Sequence, residues 1–281
     1  MLFTSGAKDN VGRERRRLPR GGATGSFVAM STFAIELESS GLLLEVRLND
    51  VRVYRDFSGT PRIREDRVNH WIVPGENILE VWLGRVADCN DPESFELEWL
   101  YWGEGKTRKS ADRISGYRYN RELILPIGET RRVWDSILKP EDDFGSWAWQ
   151  DADEQPVSDA DRAEIISVVE SLYQGIAKKD ILGVRKKLSI QNAEMARAYG
   201  VSPEDRDHKQ KSFLEQCVAA DRWRLEPLKP ELFHYNSQAG GRLVFVTDPN
   251  GFPPVRGVSQ STTFDLPCGF SRVNGVWTVV R

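Results

Sequence analysis

Apolar and polar residues alternate with period two along much of the first half of this chain. Phe33, Ile35 and Leu37 share one side of a first segment, and Leu42, Leu44, Val46 and Leu48 one side of a second. Successive strand side chains point to opposite faces, so each set predicts a strand with one buried face. Asn49-Asp50 offers a turn before Val51 and Val53. Pro74-Gly75-Glu76-Asn77 offers another before Leu79, Val81 and Leu83. Phe95, Leu97, Trp99 and Tyr101 continue the alternation with Glu96 and Glu98 opposite, and Leu123 and Leu125 end the block. Short strands with frequent turns over residues 31–135 predict an all-β sandwich.

The pattern then changes. Residues 136–158 hold six acids (Glu141, Asp142, Asp143, Asp151, Asp153, Glu154) against Lys139, which reads as an acidic linker carrying Trp147 and Trp149. Ile165, Val169, Leu172 and Ile176 recur at helical spacing behind Ser158 and Asp161, a capping-box pair with Asp in place of Glu or Gln. Asp180 caps a second helix with Ile181, Val184 and Leu188, and residues 191–200 read as further helix. Ser202-Pro203 opens another, whose stripe is Phe213, Leu214, Cys217 and Val218. Strands return from residue 223: 232–236 pairs with 242–247, and Asp248-Pro249-Asn250-Gly251 and Asn274-Gly275 are turns. Residues 159–281 predict an α+β cone, helices packed on a curved antiparallel sheet.

Two resemblances attach to these halves. Val46-Arg47-Leu48-Asn49-Asp50-Val51-Arg52-Val53, with the Pro74-Gly75-Glu76-Asn77 turn into the next strand, resembles the galactose-binding-like jelly roll over about 100 residues. That motif is structural and transfers no ligand site. Helices followed by a meander ending in Phe270-Ser271-Arg272-Val273-Asn274-Gly275-Val276-Trp277 resemble the nuclear transport factor 2-like superfamily over about 120 residues. This resemblance implies a cone that serves enzymes and non-catalytic proteins alike, and pairing of two copies through the open sheet. Its isomerases use an acid-rich strand after the second helix. Here helix stands in that place, so no catalytic residue carries over.

Composition narrows the classes. The chain has 281 residues, enough for two cores, with 40% hydrophobic and 29% charged residues and a net charge of −3. No global field draws it to nucleic acid or membrane, and no apolar run approaches the ~18 residues of a membrane helix. Cys89, Cys217 and Cys268 form no CxxC pair, which excludes a zinc knuckle or redox motif and fits a reducing cytoplasm. Residues 1–30 carry Arg13, Arg15, Arg16, Arg17 and Arg20 and read as a disordered basic tail, an over-extended start before Met30-Ser31. A phosphate-neutralising arm is the sharper reading of the same residues.

Candidate chemistry is sparse. His234 is a possible general base that Asp265 could orient, and Tyr173 and Tyr235 are further candidates. Alternation puts His234 and Tyr235 on opposite faces. His70, His208 and His234 lack a second histidine at ligand spacing, and Asp205 with His208 makes no metal site. Residues 103–107 (GEGKT) invite a phosphate-loop reading, but Leu100 stands where the motif needs glycine. Cys268 has no base near it in sequence. Among the nine tryptophans, Trp99 belongs to the core face, while Trp82 and Trp102 lie on more polar faces and are candidate contacts. Trp147 and Trp149 either fill a groove between the halves or dock a partner.

The resulting expectation is a cytoplasmic, non-catalytic binding or adaptor protein without cofactor, metal, nucleic acid or membrane. It holds a protein partner through Trp147, Trp149, Trp82 and Trp102, with a toxin-neutralising protein as one instance. Two alternatives stay open. One is a lyase or isomerase working on a small hydrophobic substrate in the cone, which needs His234 or Tyr173 to face a pocket beside a carboxylate. The other is carbohydrate binding, which needs Trp82 or Trp102 exposed in a polar groove.

Overall fold

The computed structural model describes residues 31–281 except 88, 90, 155, 261 and 262. The basic segment 1–30, and with it the tail and phosphate-arm expectations, lies outside the described residues. The described residues are mostly antiparallel sheet with four α-helices.

Eight strands come first: β1 (Thr32–Ser40), β2 (Leu42–Leu48), β3 (Val51–Asp56), β4 (Arg62–Arg67), β5 (Asn77–Arg85), β6 (Ser94–Trp102), β7 (Asp112–Arg118) and β8 (Arg131–Leu138). They form two sheets of order β4-β1-β6-β7 and β3-β2-β5-β8. The alternating residues Phe33, Ile35, Leu37, Leu97 and Trp99 of one sheet, and Leu44, Val46, Leu48, Val81 and Leu83 of the other, are buried in one shared cluster. Asn49 and Asp50, both at positive φ, make the tight β2–β3 turn. The Pro74–Asn77 turn is held from inside: Asn77 Oδ1 accepts from Val73 N and from Asn49 Nδ2, each at 2.8 Å.

The helices are α1 (Asp159–Ala177), α2 (Ile181–Lys187), α3 (Ser189–Ala198) and α4 (Pro203–Ala219). Then come β9 (Arg224–Leu225), β10 (His234–Gln238), β11 (Leu243–Thr247), β12 (Val255–Val258), β13 (Thr263–Leu266), β14 (Gly269–Val273) and β15 (Val276–Val279), in sheets of order β10-β11-β14-β15 and β13-β12-β9. The predicted α1 stripe of Ile165, Val169, Leu172 and Ile176 is buried against these sheets. Ser158 and Asp161 form the expected capping box. Asp161 serves twice: its Oδ1 also accepts from Trp277 Nε1 at 2.9 Å and pairs with Arg272, pinning the start of α1 to β14 and β15. These bonds hold its carboxyl down at about 2.

Strand β11 is covered on both sides. Val244 and Val246 face the helices, while Leu243 and Phe245 join the core of the first half. Phe245 meets Trp71 at 6.3 Å between ring centroids. Arg52 N donates to Gln238 Oε1 at 2.8 Å, and Gly240 N to Asp50 Oδ2 at 3.2 Å. The sheet face expected to be open for a second copy is thus occupied around β11 by the first half of the same chain. The segment read as an acidic linker turns its two tryptophans inward. Residues 136–138 belong to β8, and Trp147 and Trp149 are 0% and 4% exposed in the first-half core.

Candidate functional site

The residues proposed for catalysis do not converge. His234 begins β10, opposite Thr247, and is exposed. Tyr235 packs against the C-terminal core beneath the Arg162 guanidinium. Tyr173 is half-buried on α1 against the same core. Asp265 lies on β13, 3.1 Å from Arg256 across the β12–β13 pair. Burial pushes its carboxyl up, with Arg256 opposing. The interior they were expected to line is apolar: Phe264, Leu266, Phe270 and Val246 fill it. Cys268 is buried there, donating to the Leu266 carbonyl at 3.4 Å, and burial alone pushes its thiol up to about 12. Such a thiol is packing, not a nucleophile. His208 and Asp205 are exposed on α4. Among the described residues no three His, Cys, Asp or Glu side chains come together as metal ligands.

The tryptophans separate as well. Trp147 lies inside, its Nε1 donating to the Ile72 carbonyl at 2.6 Å, with the guanidinium groups of Arg197 and Arg281 at 4.5 and 5.1 Å from its ring. Neither Trp147 nor Trp149 offers a ring to a partner. Trp102, expected to be exposed, is 5% exposed in a small cluster with Ala34 and Leu100, with Ala111 packed on it. Trp82 alone of the four is partly exposed, with its indole nitrogen turned inside. The Arg47 guanidinium lies over its ring at 4.6 Å, where a sugar would stack.

The outward face of the β3-β2-β5-β8 sheet is therefore built around Trp82. One cross-strand row runs Arg55, Glu45, Trp82, Arg132, and the next runs Arg52, Arg47, Glu80, Asp135. Beyond them Ile78 and Ile137 stand opposite each other, 40% and 56% exposed. Glu45 takes Arg47 at 2.5 Å and Arg52 at 3.2 Å, and Glu80 takes Arg132 at 2.8 Å. These pairs anchor Arg47, Arg52 and Arg132 on the face, Arg47 over the indole. At one end Leu43 and Gly84 are covered by the 126–129 segment, where a Cβ at Gly84 would run into the Glu129 carbonyl.

The other outward face differs. Glu65, Glu36 and Glu98 sit side by side across β4, β1 and β6, with Glu38 and Glu96 in the next row. Like charges directly opposite repel. Arg108 answers Glu36 and Glu65, Arg113 answers Glu98, and Arg118 answers Glu96 at 2.8 Å. Four of these five glutamates are answered, and Glu38 lies opposite Ile63 of the edge strand, whose side chain is exposed.

A cleft of about 380 Å³ opens near the β1–β2 turn, lined by Gly41, Arg85, Val86, Ala87, Cys89, Glu93 and Ile127. Its carboxylate is engaged on both oxygens, Oε1 by Arg85 at 2.6 Å and Oε2 by the Tyr119 hydroxyl at 3.0 Å. The cleft can hold a small molecule but presents no free acid–base pair.

A cluster that the sequence did not announce lies where the two halves meet. Arg281, 4% exposed, pairs with Glu194 of α3 and donates to the His70 carbonyl at 2.9 Å, its guanidinium between the Trp71 and Trp147 rings. Asn69 is buried beside it, accepting from Phe33 N and donating to the Ser31 and Ala198 carbonyls. These partners are separated by up to 211 residues in sequence, so neither periodicity nor motif spacing could reveal them. The cluster binds the molecule to itself.

No protein-family model, no curated protein and no solved structure matches this chain.

Proposed function

We propose that this is a non-catalytic binding protein that presents the outward face of the β3-β2-β5-β8 sheet to a protein partner. The observation that carries the reading is the grouping of a partly exposed Trp82 with Arg47, Arg132, Ile78 and Ile137 on one outward face. Trp and Arg dominate the energetics of protein interfaces, and aliphatic neighbours exclude water around them. Trp147, Trp149 and Trp102 no longer support the reading, because all three are inside. The lyase or isomerase reading has lost its support too, since His234 is exposed and the interior it would face is apolar. Sugar stacking on Trp82 is opposed by the guanidinium already on its ring.

The test is an affinity pull-down from native lysate with the tagged full chain and three variants. A single stoichiometric partner that is lost with Trp82→Ala and with Ile137→Asp, and retained with Ile63→Asp on the opposite face, supports the reading. Retention by both face variants, or no partner at all, removes it.

A further inference from the structure

Charge is unevenly spread along this chain. The whole carries −3, yet residues 178–187 hold five cations (Lys178, Lys179, Arg185, Lys186, Lys187) against one acid, Asp180. They form the corner where α1 ends and α2 begins. A Cβ at Gly175 would come within 2.7 Å of Val184, so glycine lets the two helices close on each other there. Lys179, at a φ of +59°, turns the chain, and Asp180 caps α2 by accepting from Gly183 N at 2.9 Å. The one acid of the corner is thus committed to a helix end.

Helical period sorts the remaining side chains. Ile181, Val184 and Leu188 turn into the core. Arg185 is paired with Asp207 of α4 at 2.7 Å. The outward side carries Leu182, Lys186 and Lys187, with Leu182 and Lys186 one turn apart. Leu182 is 59% exposed. Lys178, Lys179, Lys186 and Lys187 are exposed around it, and among the described residues no carboxylate pairs with any of the four. Helix C-termini favour cations, which accounts for Lys178 after α1 and for Lys186 and Lys187 in the last turn of α2. That preference accounts neither for Lys179, which lies outside both helices, nor for Leu182, on a side where a polar residue would lose nothing.

We infer that this corner seats the protein on the anionic surface of a lipid bilayer, with the four lysines on the lipid phosphates and Leu182 entering the boundary between headgroups and acyl chains. The rest of the chain is more acidic than the whole, so such a surface repels it and turns the corner forward. Lysine, a compact charge on a flexible stem, suits diffuse attraction to many headgroups better than one fixed bidentate site. Leu182 decides between anionic partners. A bilayer rewards its transfer out of water, whereas a nucleic-acid backbone offers it nothing. The attachment is peripheral and reversible, because four lysines and one leucine fall short of a lasting anchor. It is independent of the Trp82 face, and neither surface needs the other.

The experiment is co-sedimentation of the full chain with vesicles of equal parts phosphatidylcholine and phosphatidylglycerol, beside vesicles of phosphatidylcholine alone. Binding is expected to the first and not to the second, and it should fall steeply as salt is raised. Each lysine near an anionic surface contributes roughly a factor of five, so Lys186→Gln/Lys187→Gln should weaken binding about 25-fold and flatten its salt dependence. Leu182→Gln should weaken it several-fold and leave the salt dependence as it was. Lys106→Gln/Lys109→Gln removes the same charge from the β6–β7 connection and should change little. Circular dichroism checks that each variant keeps the wild-type fold. The proposal is overturned if wild type stays in solution beside the anionic vesicles, if the two lysine pairs weaken binding alike, or if Leu182→Gln binds like wild type. Capture of a DNA duplex that needs Lys186 and Lys187 but not Leu182, with no vesicle binding, would assign the corner to phosphate backbones instead.

Discussion

Two interiors lie side by side in this chain and are built on opposite rules. Beneath the helices, Ile165, Val169, Leu172, Phe264 and Phe270 close on one another, and the thiol of Cys268 finds only a backbone carbonyl. In the seam, Arg281, Glu194 and Asn69 are enclosed with Trp71 and Trp147. The first interior is held by area removed from water, which is non-directional and tolerant of repacking. The second is held by directional bonds whose members each need the others. Polar chemistry inside this protein thus fixes how its halves sit, and the space expected to hold a reaction is filled with side chains.

The largest effect should come from breaking the seam. Arg281→Ala leaves Glu194 buried without its cation, and Glu194→Ala does the converse. Each is expected to cost about 3–5 kcal/mol in chemical denaturation, the range for removing one partner of a buried ion pair. The double variant Arg281→Met/Glu194→Leu should recover most of the loss, because two well-packed apolar groups replace two buried charges. A single-variant cost below about 1 kcal/mol would mean that the seam is no tighter than an exposed pair.

That asymmetry also decides what could be read from the sequence. The α1 stripe, the Ser158–Asp161 cap and the β1, β2 and β6 alternations are local patterns, and each appears where its period places it. Trp82 and Trp102 do stand on the outward faces that alternation assigns. What alternation could not supply was the cover over Trp102, which comes from Ala111 on another strand approach. The acids around Trp147 and Trp149 read as a linker whose rings fill a groove or dock a partner; the acids lie at the surface while the rings turn inward. Arg281 looked like one more charged residue, because Glu194, Trp71 and Trp147 are distant in sequence. The outward Trp82 face was half legible: the indole was, but Arg47 lying on it was not.

Asp161 tests the boundary between the two rules, since it is a single buried carboxylate at the edge of the dry interior. Asp161→Asn keeps the shape but weakens the bonds to Ser158, Trp277 and Arg272. A cost of about 2 kcal/mol is expected, typical of a hydrogen bond to a charged group. Because the folded carboxyl is held at about 2 against 3.8, it adds stability above pH 3.8 that is lost as pH falls through about 2. A stability–pH curve that falls through about pH 2 in wild type and lacks that step in Asp161→Asn would show it. Inside the dry core the expected response is smaller. Cys268→Ala removes one sulfur from an apolar site and should cost about 1 kcal/mol, with no change in slope against pH near neutrality.

The smallest effect on stability is expected on the outward faces, and there the contrast is between surfaces. Ile137 and Ile63 are both exposed isoleucines on strands at the edges of their sheets. Exposed substitutions of this kind usually stay within about 0.5 kcal/mol, so Ile137→Asp and Ile63→Asp should denature at nearly the wild-type midpoint. Their difference should appear in association alone. A new carboxylate at Ile137 lies opposite Ile78 and beside the Trp82 row, where a partner's apolar surface would have to desolvate it. A carboxylate at Ile63 lies opposite Glu38, on a face whose other glutamates are answered by Arg108, Arg113 and Arg118. If Ile137→Asp instead unfolds the protein while Ile63→Asp does not, the Ile78–Ile137 pair is a structural clasp of the β5–β8 edge. The Trp82 face would then lose its standing as the surface that meets other proteins.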